Sequence, residues 1–200
     1  LDVQYELSES ISGDERIMLA FQNPTAGIWT IRVYSVGNLE TGFHMWLPVT
    51  GFISDETYFL RSDPDTTVTE PANAEGVLTV AGYDARTDSI WYDSGRGYTR
   101  VGAIVPDVAA PSVEVSTIDA KGRGSSLTGT SAAAALGAGA CALLLEWGIV
   151  RQNAPAMDSV TIQRYLLRGA RRSENYTYPS KTWGYGLLDL YGVFRAMRGI

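Results

Sequence analysis

The sequence predicts an α/β protein: a layered strand–helix domain over residues 75–200, preceded by a β-rich stretch over residues 1–50. Three observations carry this reading. Ala132–Trp147 is apolar on every side of a helical projection until Glu146, the pattern of a helix buried all round. Short apolar segments that read as strands come before it and helical segments follow it, a layout that points to an α/β layer architecture. Residues 1–50 instead alternate aromatic and β-branched runs with turn residues, as short strands do.

Two hundred residues, 45 % apolar and 19 % charged with 21 glycines, can build one good-sized core, or a medium domain and part of a second. That composition excludes a disordered chain or a coiled coil. The net charge is −6 and no basic run is longer than Arg171-Arg172, so no nucleic-acid partner is expected. The lone cysteine, Cys141, permits no intramolecular disulfide, and its apolar surroundings read as those of a buried, inert thiol. Residues 1–10 mix acidic and apolar residues, unlike a signal segment. The longest uncharged apolar stretch, Ala132–Leu145, is short for a bilayer span, so no membrane partner is expected.

In chain order, Leu1–Leu7, Ile17–Phe21, Gly27–Val36 and Gly42–Val49 read as strands, punctuated by Ser12-Gly13-Asp14, Asn23-Pro24 and Gly37-Asn38. Apolar residues partly alternate from Ile28 to Tyr34, as in a strand with one buried face. Four strands without a closing partner suggest a sheet cut from something larger. After residue 50, prolines break up a mostly irregular stretch. Val77–Ala81 reads as a buried strand, Val101–Pro111 as an extended segment and Val113–Val115 as a further short strand. Ser159–Gly169 places Val160, Ile162, Leu166 and Leu167 on one side of a helix with Ser159 as its N-cap, and Gly186–Met197 is a third helix.

The chemistry concentrates at Gly129-Thr130-Ser131, which opens the apolar helix. A nucleophilic serine needs a sharp turn and nearby backbone N–H groups to bind the oxyanion of acyl transfer. Gly129 permits such a turn, and the first turn of a helix offers free donors at the positive end of its dipole. The same residues would equally serve a helix merely capped by Ser or Thr. The Gly-x-Ser-x-Gly elbow is absent, since Ala133 stands two residues after Ser131.

Gly129-Thr130-Ser131, with Ala133 and Ala138-Gly139, resembles the Gly-Thr-Ser-x-Ala-x-Pro-His-Val-Ala-Gly block of subtilisin-like serine proteases. Val77–Asp84, Tyr92–Gly97 and Pro106–Pro111 resemble the three landmarks before that serine, and Trp183–Asp189 resembles the segment before the last helix. Gly27–Ile31, Trp46-Leu47-Pro48, Ser94–Tyr98 and Leu167–Arg172 further resemble clostridial subtilases of the Csp germination-protease type. The resemblance implies the C-terminal part of a subtilisin-like fold over residues 51–200, with residues 1–50 as the last strands of an inserted jelly-roll β-sandwich. It implies a serine endopeptidase with Ser131 as nucleophile and Gly129 and Thr130 forming its turn. It also implies a bacterial, secreted or spore-associated protein that acts on proteins or peptides and needs no cofactor. Ala135, Leu136 and Gly137 replace the family's Pro, His and Val, which are packing changes.

In that family Asp, His and an oxyanion-hole Asn precede the serine, and here all three would lie before residue 1. The expected partner is therefore the missing N-terminal part of the same protease. The alternative is an inactive pseudoprotease or interaction protein on the same fold. The single histidine, His44, lacks the family's His-Gly-Thr context and reads as a partly exposed strand residue. Asp107 and Asp189 fall at structural positions of the resemblance. Asp63-Pro64-Asp65 reads as an acidic turn lacking EF-hand spacing, and Gly95-Arg96-Gly97 and Gly122-Arg123-Gly124 lack the third glycine of a dinucleotide loop. Asn175-Tyr176-Thr177 matches the glycosylation pattern, which arises often by chance. One His and one Cys cannot build a His/Cys metal cluster.

Overall fold

The structure, a computed structural model, describes residues 1–6, 14–34, 42–48 and 51–198. It divides into two compact units, Leu1–Thr57 and Tyr58–Ile200, so the boundary lies beyond residue 50. The turn residues Ser12-Gly13 and Gly37-Asn38, and the strand ends at Leu7, Ser35-Val36 and Val49, lie outside the described residues.

In the first unit, β1 (Asp2–Glu6) and β2 (Arg16–Ala20) form an antiparallel hairpin in which Asp2 faces Ala20 and Glu6 faces Arg16. Beyond it the expected strands are not found: residues 27–34 and 42–48 join no ladder among the described residues. Their propensity is that of strands, but a strand exists only where a neighbour takes up its backbone hydrogen bonds. Their apolar side chains accordingly lie open, Ile28 being 81 % exposed, so the alternation from Ile28 to Tyr34 marks no buried face here.

The second unit is built on a three-stranded sheet. Its centre is β3 (Val80–Asp84), flanked by the short antiparallel β4 (Ser89–Ile90) and by parallel β5 (Val108–Pro111). The parallel register pairs Val80 with Val108 and Tyr83 with Pro111. Leu187 bridges to Ala109 on the other side of β5 and to Arg171. An exposed antiparallel hairpin follows, β6 (Val115–Ile118) and β7 (Gly124–Leu127). Its short Ser- and Gly-containing second strand carries no apolar run, and β4 has two residues, so neither stands out in the sequence.

Helix α1 runs from Thr130 to Leu145 and continues as a π-helical turn from Glu146 to Val150. It packs on β3 and β5, but is not buried all round. Ala132, Ala133, Gly137, Ala140 and Leu144 form its covered stripe, while Leu143 is 50 % exposed and Leu136 and Leu145 are also open. Uniform apolarity was the signal for all-round burial, and the described residues cover one side. Gly137 allows the close approach, because a Cβ there would lie 2.9 Å from the Val80 side chain. The combined run Thr130–Val150 is 21 residues, longer than the expected apolar stretch and long enough for a bilayer by length and composition alone. A core helix of a layered fold meets the same test.

Helix α2 (Ser159–Gly169) starts where expected, but its N-cap is Asp158, whose carboxylate accepts from the Thr161 N–H at 2.8 Å. Hydrogen bonding from Thr161, its hydroxyl first and its N–H second, lowers the Asp158 carboxyl from its ordinary value. Helix α3 (Leu190–Arg198) starts later than expected, because residues 186–188 are committed to backbone bonds with Ala109 and Arg171. Leu144, Met157, Ile162, Leu166 and Val193 join Ala140 in the main core. A Cβ on Gly169 would lie 2.3 Å from the Val193 backbone, which explains the close seating of α3 on α2.

Asp107 ties these layers together. It is 5 % exposed, and its carboxylate accepts from the Thr79 N–H at 2.7 Å and the Gln163 amide at 2.9 Å, joining the entry of β5 to β3 and α2. Burial pushes its carboxyl up, with the two hydrogen bonds pulling the other way. Above the ordinary carboxylate range the folded chain therefore keeps a proton that the unfolded chain has lost. Stability should fall as pH rises through that window. Asp107→Asn is expected to flatten the dependence of Tm on pH above the ordinary carboxylate range, while Asp107→Ala, which strands the Thr79 N–H, is expected to cost about 1–3 kcal/mol. Thermal melts of the three proteins across that range check both; an unchanged slope in the Asn variant contradicts the assignment.

Candidate active site

Residue 129 has to be glycine for a backbone reason. Its φ of 152° and ψ of 155° lie in a region that side-chain-bearing residues rarely adopt. From that corner the chain turns directly into α1. The Gly129 N–H donates to the Ser112 carbonyl at 2.8 Å, and the Gly129 carbonyl accepts from the Ala132 N–H at 3.0 Å. The corner is thus pinned on one side to the residue after β5 and on the other to the helix it starts.

Ser131 is exposed, whereas the next two residues, Ala132 and Ala133, are buried. The helix therefore sinks its small residues against the sheet and leaves the hydroxyl at the surface. Ser131 lies in the first turn, where backbone N–H groups have no acceptor four residues back, and no acidic side chain occupies that turn. Donors and dipole together favour negative charge beside the hydroxyl. An exposed hydroxyl next to an oxyanion-stabilising turn suits acyl transfer, given a base.

Behind the corner sits a residue the sequence did not single out. Ser112 is fully buried, and both its N–H (2.9 Å) and its hydroxyl (3.2 Å) donate to the Tyr83 carbonyl at the end of β3. A serine after a strand-ending proline carries no signal in one sequence. Its importance appears only when β3, β5 and the corner are seen together.

The other polar residues of interest have structural partners. His44 is exposed, belongs to the first unit and stacks on Trp46 with ring centroids 5.4 Å apart; it is not on a strand. Asp189 caps α3 through the Gly192 N–H at 2.8 Å, and Asp107 is the buried tie described above. Asp63 accepts from the Asp65 N–H at 2.9 Å, and Asp65 pairs with Lys181. Gly97 sits where a Cβ would overlap the Val105 carbonyl, and its N–H donates to the Lys181 carbonyl, so Gly95-Arg96-Gly97 is a packing element. Gly122-Arg123-Gly124 leads into β7, with Arg123 paired to Asp119. Cys141 is half-buried beside the main core, and burial pushes its thiol up. Asn175 is exposed in a loop where Tyr176 packs beside Trp183. Among the described residues no group of three or more His, Cys, Asp or Glu is placed to hold a metal.

Comparison with known proteins agrees with this architecture. The subtilase family model matches residues 6–186. The Clostridium perfringens CspB protease superposes with a TM-score of 0.68 at 34 % identity over 72 % of this chain and 32 % of its own. The protease domain of PatA (TM-score 0.54, 24 % identity, 68 % of this chain and 47 % of that one) and the prenylagaramide maturation protease PagA (0.54, 24 %, 66 % and 46 %) share the fold. This chain thus spans about a third of CspB and under half of the other two. No curated protein sequence matches it.

The corner yields a direct test of its backbone. Gly129→Ala has room for its methyl group, since the nearest atom would be 3.8 Å away, so its cost is conformational. It is expected to lower unfolding free energy by about 1–3 kcal/mol. Denaturant titration measures this, and an unchanged midpoint would mean that the corner is not strained.

Proposed function

Because the chain belongs to the subtilase family, we propose that it supplies the nucleophile, Ser131, of a serine endopeptidase acting on proteins or peptides. The observation that carries this is the exposed Ser131 hydroxyl on the first turn of α1, directly after a corner fixed by Gly129. Ser131 Oγ attacks the scissile carbonyl carbon while its proton passes to a histidine base. The tetrahedral oxyanion is held by the Ser131 N–H, with Thr130 completing the turn. Collapse breaks the C–N bond as the base returns the proton to the leaving amine, and water then hydrolyses the acyl-enzyme by the same route. None of these steps requires a metal or an organic cofactor.

The base and its orienting carboxylate come, in this reading, from the remainder of the protease. The chain's one histidine, His44, lacks the family context. CspB is about three times longer than the part aligned here. The open side of α1 and the thinly flanked β3 are surfaces that further strands and helices of one catalytic domain would cover. Residues 1–50 are read as the end of a β-sandwich insert, whose unpaired segments find their partners in the rest of that insert.

The test is labelling of the full-length protein by a fluorophosphonate probe, read by intact mass. One adduct is expected, and Ser131→Ala should abolish it. Demonstrably folded protein that takes up no probe would make this chain part of an inactive pseudoprotease on the same fold.

A further inference from the structure

The second residue behind the corner is Gly82, in the middle of β3. A Cβ built there would lie 2.6 Å from Ser112 Oγ, 2.7 Å from Ser112 Cβ and 3.3 Å from Thr130 Cγ2. The first contact could be relieved by rotating the serine hydroxyl. The second could not, because the position of Ser112 Cβ is set by its backbone, and that backbone is held at both ends. Its N–H donates to the Tyr83 carbonyl at 2.9 Å, and its carbonyl accepts from Gly129 at 2.8 Å. Ser112 is also fully buried, so it cannot swing out into solvent without breaking those bonds. Any displacement of Ser112 is therefore passed through a single hydrogen bond to Gly129, and so to the first turn of α1.

We infer that Gly82 and Ser112 are a matched pair that sets the position of the reacting hydroxyl, making Ser112 a positioning residue for Ser131. The inference rests on the nucleophile reading of Ser131. One strand leaves out a side chain so that the neighbouring chain can insert one. The inserted hydroxyl adds a second hydrogen bond, at 3.2 Å, to the strand carbonyl that its own N–H already uses. The bonds between β3 and the corner are thereby doubled at the carbonyl end, where the sheet hands over to the active turn. Positioning errors of this kind act on the chemical step more than on binding, since the attacking atom must sit in near-attack geometry.

The experiment compares wild type, Gly82→Ala, Ser112→Gly and the double variant Gly82→Ala/Ser112→Gly in the full-length protease. Labelling by a fluorophosphonate probe is resolved into its maximal rate and its half-saturating concentration, with Tm measured alongside. Gly82→Ala is expected to slow the maximal labelling rate at least about tenfold, with the half-saturating concentration little changed. Ser112→Gly removes the two nearest clashing atoms, leaving the milder 3.3 Å contact with Thr130 Cγ2 to give way. The double variant should therefore recover most of the rate lost by Gly82→Ala and exceed what two independent losses predict. A folded Gly82→Ala protein that labels at the wild-type rate, or a double variant as slow as Gly82→Ala alone, overturns the pairing and leaves the nucleophile reading standing. If Gly82→Ala does not fold, the double variant decides, because restored folding with most of the wild-type labelling rate supports the pair and its absence overturns it. Wild-type protein that does not label overturns the nucleophile reading and this inference with it.

Discussion

The hydrogen bond from the Gly129 N–H to the Ser112 carbonyl is the constraint on which the turn carrying Ser131 depends. Upstream of it, Ser112 is fixed to the end of β3 by two bonds to one carbonyl. Downstream, Gly129 holds a backbone conformation unavailable to most residues and starts α1. A helix buried on one stripe cannot by itself fix the height or rotation of its first residue. The 2.8 Å bond to a fully buried neighbour supplies that reference point, and the sheet register of β3 and β5 supplies the rest.

The remainder of the second unit serves to keep that sheet rigid. Asp107 joins β3, β5 and α2 through the hydrogen bonds its carboxyl accepts from Thr79 and Gln163, at the cost of burying a group whose ionisation is disfavoured there. Residues 186–188 close the outer side of β5, and glycines at 169 and 192 let α3 lie against α2. Stability and site geometry therefore share elements. The side of α1 away from the sheet, by contrast, carries the partly exposed leucines Leu136, Leu143 and Leu145. In the proposed protease this is an internal surface of the complete catalytic domain.

Much of this was legible because short-range rules decide it. Ser159–Gly169 is amphipathic with a nearby cap and appears with the expected ends, and the Gly-Thr-Ser corner is set by a residue whose φ only glycine tolerates. The cap itself was misplaced by one residue, since Asp158 and Ser159 are both competent and the geometry chooses the aspartate. What failed were statements that need a partner. Residues 27–34 have strand composition without a ladder, and α1 is apolar all round but covered on one stripe. Propensity and apolarity describe what a segment would do when neighbours are supplied, and one sequence does not supply them. The pairing of Gly82 with Ser112 stayed hidden for a related reason, the two being 30 positions apart and meaningful only as a contact.

The most direct measurement is the crystal structure of the full-length protein after reaction with a phosphonylating inhibitor. The account predicts phosphorus bonded to Ser131 Oγ, with its non-bridging oxygen about 2.7–3.1 Å from the Ser131 N–H, and the Ser112–Gly129 hydrogen bond intact. An adduct on another side chain, or one on Ser131 whose oxygen points away from the helix turn, would contradict it.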